Sequence, residues 1–168
     1  DRVKTQFLGK GFRAMIEPIK WKDNKIVFID QTELPARLEH VTCGDIDVLC
    51  EAIKKLRIRG APLIGVAVAL GYALSCVNSK AKILAGLSKD LKSAANRLRS
   101  TRPTAVNLFW ALDRMERKFE TSRLDLRPRS KNIVRVSPSA SFGINFASRK
   151  HNVAIAQLKK IILKDIGG

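Results

Sequence analysis

The sequence predicts an α+β fold: a small antiparallel N-terminal sheet followed by a mainly helical bundle. Three observations carry this. Two short β-rich runs flank the polar pair Asp23-Asn24, a turn signal. Four stretches between residues 45 and 119 repeat apolar residues at helical spacing. One of them, residues 62–77, is apolar on every side, and such a helix is at home only in the centre of a bundle.

In chain order, residues 16–21 and 25–31 read as the first two strands. Lys25-Ile26-Val27-Phe28-Ile29 is rich in β-branched and aromatic residues and is bounded by polar ones. Asp30 to Pro35 reads as a bend, because a proline steers the residue before it away from helix. Residues 36–42 form a weaker third strand. A helix over 45–57 puts Val48, Leu49, Ala52, Ile53 and Leu56 on one stripe, with Asp45 as its N-cap or a first-turn acid. In 62–77, Gly65, Ala69 and Ala73 recur every four residues and allow a neighbour's backbone to approach. Glycine inside a helix costs about 1 kcal/mol against alanine, so Gly65 and Gly71 imply a packing reason. Residues 82–99 align Leu84, Leu87, Leu91, Ala94 and Leu98. Residues 103–119 align Val106, Phe109, Leu112, Met115 and Phe119. Helical character returns over 152–163, with Val153, Ala156, Leu158, Ile161 and Ile162 apolar.

Composition divides the chain into 1–14, 15–120 and 121–168. The formal charge of +17 would ordinarily suggest nucleic acid. Yet residues 1–14 carry four basic and one acidic residue, and residues 121–168 carry ten basic and two acidic. Most of the excess therefore lies in the flanks, and the central body is only moderately basic. Serine and turn formers cluster at Pro128 and Ser137-Pro138-Ser139. The three cysteines, Cys43, Cys50 and Cys76, are odd in number and lack a Cys-x-x-Cys pair, which argues against a disulfide framework or a metal site. Reduced thiols and a cytoplasmic location follow. No secretory leader is visible in the first fifteen residues. The apolar run 61–77 is short of the ~20 residues that cross a bilayer, so no membrane partner is expected. No glycine-rich nucleotide loop or other cofactor signature appears, so no cofactor is expected.

The candidate site is a pair of similar segments. Arg59-Gly60-Ala61-Pro62 opens the apolar helix, and Arg102-Pro103-Thr104 repeats the design about forty positions later. Proline suits the first turn of a helix, where its missing N–H leaves no bond unmade. A helix start offers unpaired N–H groups and the positive end of the macrodipole. Arginine adds a planar fork that matches phosphate. Gly60 lets a ligand approach the backbone. Converging, the two segments would bind a phosphorylated small molecule, with Arg59 and Arg102 as its anion contacts. Asn107 could reach a sugar hydroxyl. His40 and His151 stand isolated, and Asp30 and Asp113 have no visible partner. Trp21 and Trp110 read as core residues, not as stacking platforms, and the cysteines as small core hydrophobes.

Residues 15–120 resemble the N-terminal domain of the methylthioribose-1-phosphate isomerases. The resemblance rests on Ile19-Lys20-Trp21, Asp30-Gln31 with Leu34-Pro35, Ile58-Arg59-Gly60-Ala61-Pro62 with Ile64-Gly65-Val66-Ala67, and Thr101 to Leu108. The wider family includes ribose-1,5-bisphosphate isomerase and the regulatory alpha, beta and delta subunits of initiation factor 2B. The resemblance implies an aldose–ketose isomerase of methionine salvage, with Arg59, Gly60, Ala61 and Arg102 on the substrate phosphate, and a possible homodimer. The family takes its catalytic cysteine and aspartate from a Rossmann-like C-terminal domain that nothing after residue 120 matches. The expectation is thus a phosphate-binding fragment, inactive alone and without a catalytic residue of its own. Residues 1–14 and 121–168 fall outside the resemblance. Met15 reads as a native start, and the loss of acids after Glu120 as a shifted frame, a truncated gene or an appended basic tail. Two other roles stay open: a regulatory sensor of sugar phosphates or nucleotides, and nucleic-acid binding by the basic tail.

Overall fold

The computed structural model describes residues 16–126 and 143–165, with side chains in the second segment given for 153–164. The flank 1–14, Met15, Pro128, the serine–proline cluster at 137–139 and the side chain of His151 lie outside the described residues.

Strand β1 (Ile19–Lys22) pairs antiparallel with β2 (Lys25–Ile29), Ile19 opposite Phe28 and Lys22 opposite Lys25. Asp23 and Asn24 connect them at φ 51° and 57°. Two successive left-handed residues make the hairpin turn that follows strand twist, and Asp and Asn tolerate that conformation best after glycine. Strand β3 (His40–Cys43) pairs on the other edge of β2, Ile26 opposite Cys43 and Ile29 opposite His40. The sequence placed this strand earlier, at 36–42. Residues 33–37 instead close a turn, with the Arg37 N–H on the Glu33 carbonyl at 2.9 Å, and pairing starts only after it.

Helix α1 (Ile46–Lys54) begins where the sequence places it. The Asp45 carboxylate accepts the Asp47 N–H at 2.6 Å. Its buried face is Leu49, Cys50, Ala52 and Ile53, while Val48 and Leu56, assigned to the apolar stripe, are exposed. Helix α2 (Ala61–Asn78) is the central element: it packs on β1, β2 and α1, on α3 (Leu84–Arg99), on α4 (Val106–Asp125) and on α5 (Gly143–Asp165). By length and hydropathy alone α2 could span a membrane, but half of it is buried inside the protein. Both α2 glycines have the expected packing reason. A Cβ on Gly71 would lie 2.5 Å from Leu49 Cδ2, and one on Gly65 would lie 3.3 Å from the Asn107 carbonyl oxygen.

Helix α4 runs uninterrupted through residue 120 to Asp125. Its buried face is Leu108, Ala111, Leu112, Met115 and Phe119; Val106 falls outside it. Helix α5 is longer than the predicted 152–163, and Ile155, Leu158 and Ile162 join the same core as α2. Each such buried aliphatic side chain contributes about 1.5–3 kcal/mol relative to exposure. Lys159 adds a polar tie: its ammonium donates to the Val77 and Ser79 carbonyls, both at 2.9 Å, at the end of α2.

Candidate anion site

The first candidate segment is the loop between α1 and α2. It folds back under α1, where Ile58 is buried and its N–H donates to the Ala52 carbonyl at 3.2 Å. Arg57 then ties the loop to the end of β2. Its Nε donates to Asp30 Oδ2 at 2.6 Å and its Nη1 to Glu51 Oε2 at 3.2 Å, and its guanidinium lies 5.8 Å from the centre of the Phe28 ring. Asp30 also accepts from the Thr32 hydroxyl and N–H, at 2.6 and 3.0 Å. Burial pushes the Asp30 carboxyl upward, but the donors on Thr32 and Arg57 outweigh it and hold the group below the usual carboxylate range. Asp30 thus has the partner that the sequence left unassigned.

One residue further on, Arg59 is exposed and its Nε donates to Gln31 Oε1 at 3.2 Å. Gly60 follows at φ 90°, a conformation that L side chains rarely adopt, and forms the N-cap of α2. Proline is the second helical residue, not the first, because Ala61 opens the helix. No side chain caps this end and its first turn holds no acid. The Ile64 N–H bonds to the Gly60 carbonyl at 3.0 Å, so the Ala61 and Leu63 N–H groups precede the first intrahelical bond.

The second segment differs from expectation. Arg102-Pro103-Thr104 does not open α4, which starts at Val106. Residues 102–105 form a turn closed by the Ala105 N–H on the Arg102 carbonyl at 3.0 Å. Proline sits at its second position, which the fixed proline φ favours. Buried Thr101 anchors the turn through its hydroxyl on the Leu98 carbonyl at 2.6 Å. Arg102 is half-buried, four residues before the helix and not on its first turn. As in α2, no side chain caps α4 and its first turn holds no acid.

The two helix openings lie side by side. Gly65 packs on Asn107, and Pro62 and Val66 share with Val106, Asn107 and Trp110 one groove of about 690 Å³. Further along, Tyr72 borders a second cavity with Glu116, Phe119 and Glu120, so α2 and α4 run in the same direction and open at the same end. The groove is apolar and open: Val106 is 78% exposed and Trp110 60%. The expectation of a core role for Trp110 is therefore wrong. Its ring faces out and the Arg114 guanidinium lies 5.9 Å from its centre, whereas Trp21 does pack against the core.

The cysteine and remaining aspartate candidates are structural. Cys43, Cys50 and Cys76 are free and buried, and burial pushes each thiol upward, Cys76 to about 11. Asp113, unassigned from sequence, accepts from Arg99 at 3.0 Å, joining α3 to α4. Among the described residues no cluster of His, Cys, Asp or Glu could hold a metal ion. The residues that the sequence reading missed are Gln31 and Arg57. They meet Arg59 and Asp30 across 27 or 28 positions, and no local pattern reports such a pairing. Only Gln31 lay within a quoted stretch of the resemblance.

The model of the initiation factor 2 subunit family matches residues 57–163, well past the limit of residue 120 set by the resemblance. The chain is 47% identical over 108 residues to a methylthioribose-1-phosphate isomerase of Heliobacterium modesticaldum, covering 64% of this chain and 31% of that protein. It is 46% identical over 110 residues to a 5-deoxyribose 1-phosphate isomerase of Moorella thermoacetica, covering 66% and 31%. The crystal structure of a 5-methylthioribose 1-phosphate isomerase from Pyrococcus horikoshii superposes with a TM-score of 0.63 at 29% identity, over 88% of this chain and 36% of that one. The chain spans about a third of the length of these relatives. With a family model that covers more than half its length, and the same fold in a solved relative, it belongs to the initiation factor 2 subunit family.

Proposed function

We propose that this chain is the phosphate-holding part of an aldose–ketose isomerase that acts on a pentose 1-phosphate, in the manner of the methylthioribose-1-phosphate isomerases of methionine salvage. The observation that carries the reading is the shared opening of α2 and α4: two uncapped, acid-free helix starts at one end of the bundle, each preceded by an arginine. A phosphate dianion gains there from the Arg59 fork, the Gly60–Ala61 backbone, the half-buried Arg102 and both macrodipoles. This is binding and orientation. Opening a ring whose anomeric oxygen is esterified also needs an acid at the ring oxygen and hydrogen migration between adjacent carbons. The reading assigns those groups to the two-thirds of the relatives' length that this chain does not span. Alone, the chain binds without turnover.

The test is calorimetric titration with inorganic phosphate and with a pentose 1-phosphate, beside an assay for the ketose product. Each charge-assisted contact is worth about 1.5–3 kcal/mol, so Arg59→Ala or Arg102→Ala should weaken phosphate binding roughly 10- to 100-fold. An unmutated chain that ignores phosphate, or one that turns over the sugar phosphate unaided, overturns the proposal.

A further inference from the structure

An exposed arginine recognises an anion well only if its fork is already aimed, and Gln31 is placed to aim Arg59. Its Oε1 accepts the Arg59 Nε–H at 3.2 Å. That bond grips the guanidinium by its inner edge and leaves both Nη groups for a bidentate ligand. Gln31 is itself held: its backbone N–H donates to the Arg57 carbonyl at 3.0 Å. The adjoining Asp30 is locked to the Arg57 side chain at 2.6 Å. The end of β2 and the loop before α2 are therefore stapled twice, by a half-buried ion pair at Asp30–Arg57 and by a hydrogen bond to a neutral amide at Gln31–Arg59.

The neutrality of the outer staple matters. A carboxylate at position 31 would hold Arg59 as firmly but would neutralise the charge meant for the ligand. An amide oxygen orients the guanidinium and leaves its charge free. Because that oxygen must face the donor, the Gln31 amide nitrogen is turned from Arg59 and keeps two N–H groups for other acceptors. We propose that Gln31 is a positioning residue of the anion site, orienting Arg59 for a phosphorylated ligand without quenching it. The inference rests on the reading of Arg59 as a phosphate contact.

The experiment titrates inorganic phosphate into the full chain and its Arg59→Ala, Gln31→Glu and Gln31→Met variants. In parallel, the thermal midpoint and the ¹⁵N–¹H signal of Arg59 Nε are followed. Gln31→Glu should keep the Nε signal and the midpoint but bind phosphate more than tenfold more weakly. Gln31→Met should lose the distinct Nε signal and bind several-fold more weakly, again with an unchanged midpoint. If the unmutated chain binds phosphate and Arg59→Ala does not, while both Gln31 variants bind as the unmutated chain does, the role of Gln31 is refuted and the anion site stands. If Arg59→Ala also binds normally, or nothing binds, the site and the inference fall together. A Gln31 variant that weakens binding only in proportion to a lowered midpoint also overturns it, since the residue would then be merely structural.

Discussion

The two ends of α2 are finished in opposite ways. At its C-terminal end Lys159 reaches across from α5 and donates to the Val77 and Ser79 carbonyls, so a resident cation meets the negative pole of the helix. At its N-terminal end there is no side-chain cap and no first-turn acid, and the cap residue is a glycine at φ 90°. The fold can cap a helix start when nothing else is to be placed there, as Asp45 shows on α1. A missing cap does not mark a site by itself, because α3 also lacks one. What distinguishes the start of α2 is the combination: an open helix end, a glycine that lets a ligand approach, an arginine held by Gln31, and the parallel opening of α4 beside it. One end is closed by the protein's own charge, and the other carries no side-chain cap and no acid, which is where the proposed function puts a ligand's charge.

The largest effect should come from the support beneath the open end. Asp30→Ala removes the closest partner of a half-buried Arg57, which keeps only Glu51, and losing those charge-assisted hydrogen bonds costs about 1.5–3 kcal/mol. Urea unfolding at neutral pH measures it. The pH dependence gives a second signature. The folded Asp30 carboxyl titrates below its unfolded value of about 3.9. Its stabilisation is therefore fully present above that value and is lost as pH falls through the folded one. The unmutated protein should lose stability along this acid limb, and Asp30→Ala should lose less over the same range. Equal losses would mean that Asp30 does not set the limb.

These two ends were not equally legible in the sequence. The open end was announced by short-range chemistry: Arg59-Gly60-Ala61-Pro62 sits at one junction, and the apolar run after it demanded a central helix. The hairpin at Asp23-Asn24 and the Asp45 cap were legible for the same reason, since each depends on residues within a few positions. The closed end was invisible, because Lys159 meets Val77 and Ser79 across 82 and 80 positions. Asp30–Arg57 and Gln31–Arg59 were hidden in the same way. Periodicity also placed Val106 in the core and composition did the same for Trp110, but both face the open groove. An apolar residue reports that burial would be favourable, not that the chain supplies a partner. Arg102-Pro103-Thr104 misled through proline, which suits a turn as well as a first helical turn, and the turn prevailed.

A middle-sized effect should come from the closed end. Lys159→Met keeps most of the apolar stem but removes the ammonium from two carbonyls and from the helix pole. The loss should be about 1 kcal/mol. Most of the contact lies at the far end of α2 from Arg59, so phosphate affinity should not change. Thermal unfolding with and without phosphate separates the two quantities. A Lys159→Met variant with weakened phosphate binding would show that the ends of α2 are not independent, and the comparison would fail.

The smallest change in stability should be the sharpest test. Ala61 is exposed and is the first residue of α2. Ala61→Asp installs at the open end the resident anion that the first turn lacks. By itself the new carboxylate should stabilise the helix by about 0.5 kcal/mol at low ionic strength, through the macrodipole and the unpaired N–H groups. The same carboxylate stands where a phosphate would, beside Arg59, and repels it. The unmutated protein should gain stability as phosphate is added, following RT ln(1 + [L]/Kd). The variant should start slightly more stable and gain nothing. Thermal midpoints across a phosphate series would then cross, with the variant ahead without ligand and behind at saturation. A protein that evolution had left uncapped by neglect would show only the first half of that crossing, a uniform gain at every phosphate concentration. The crossing itself is what an end kept open for an anion requires.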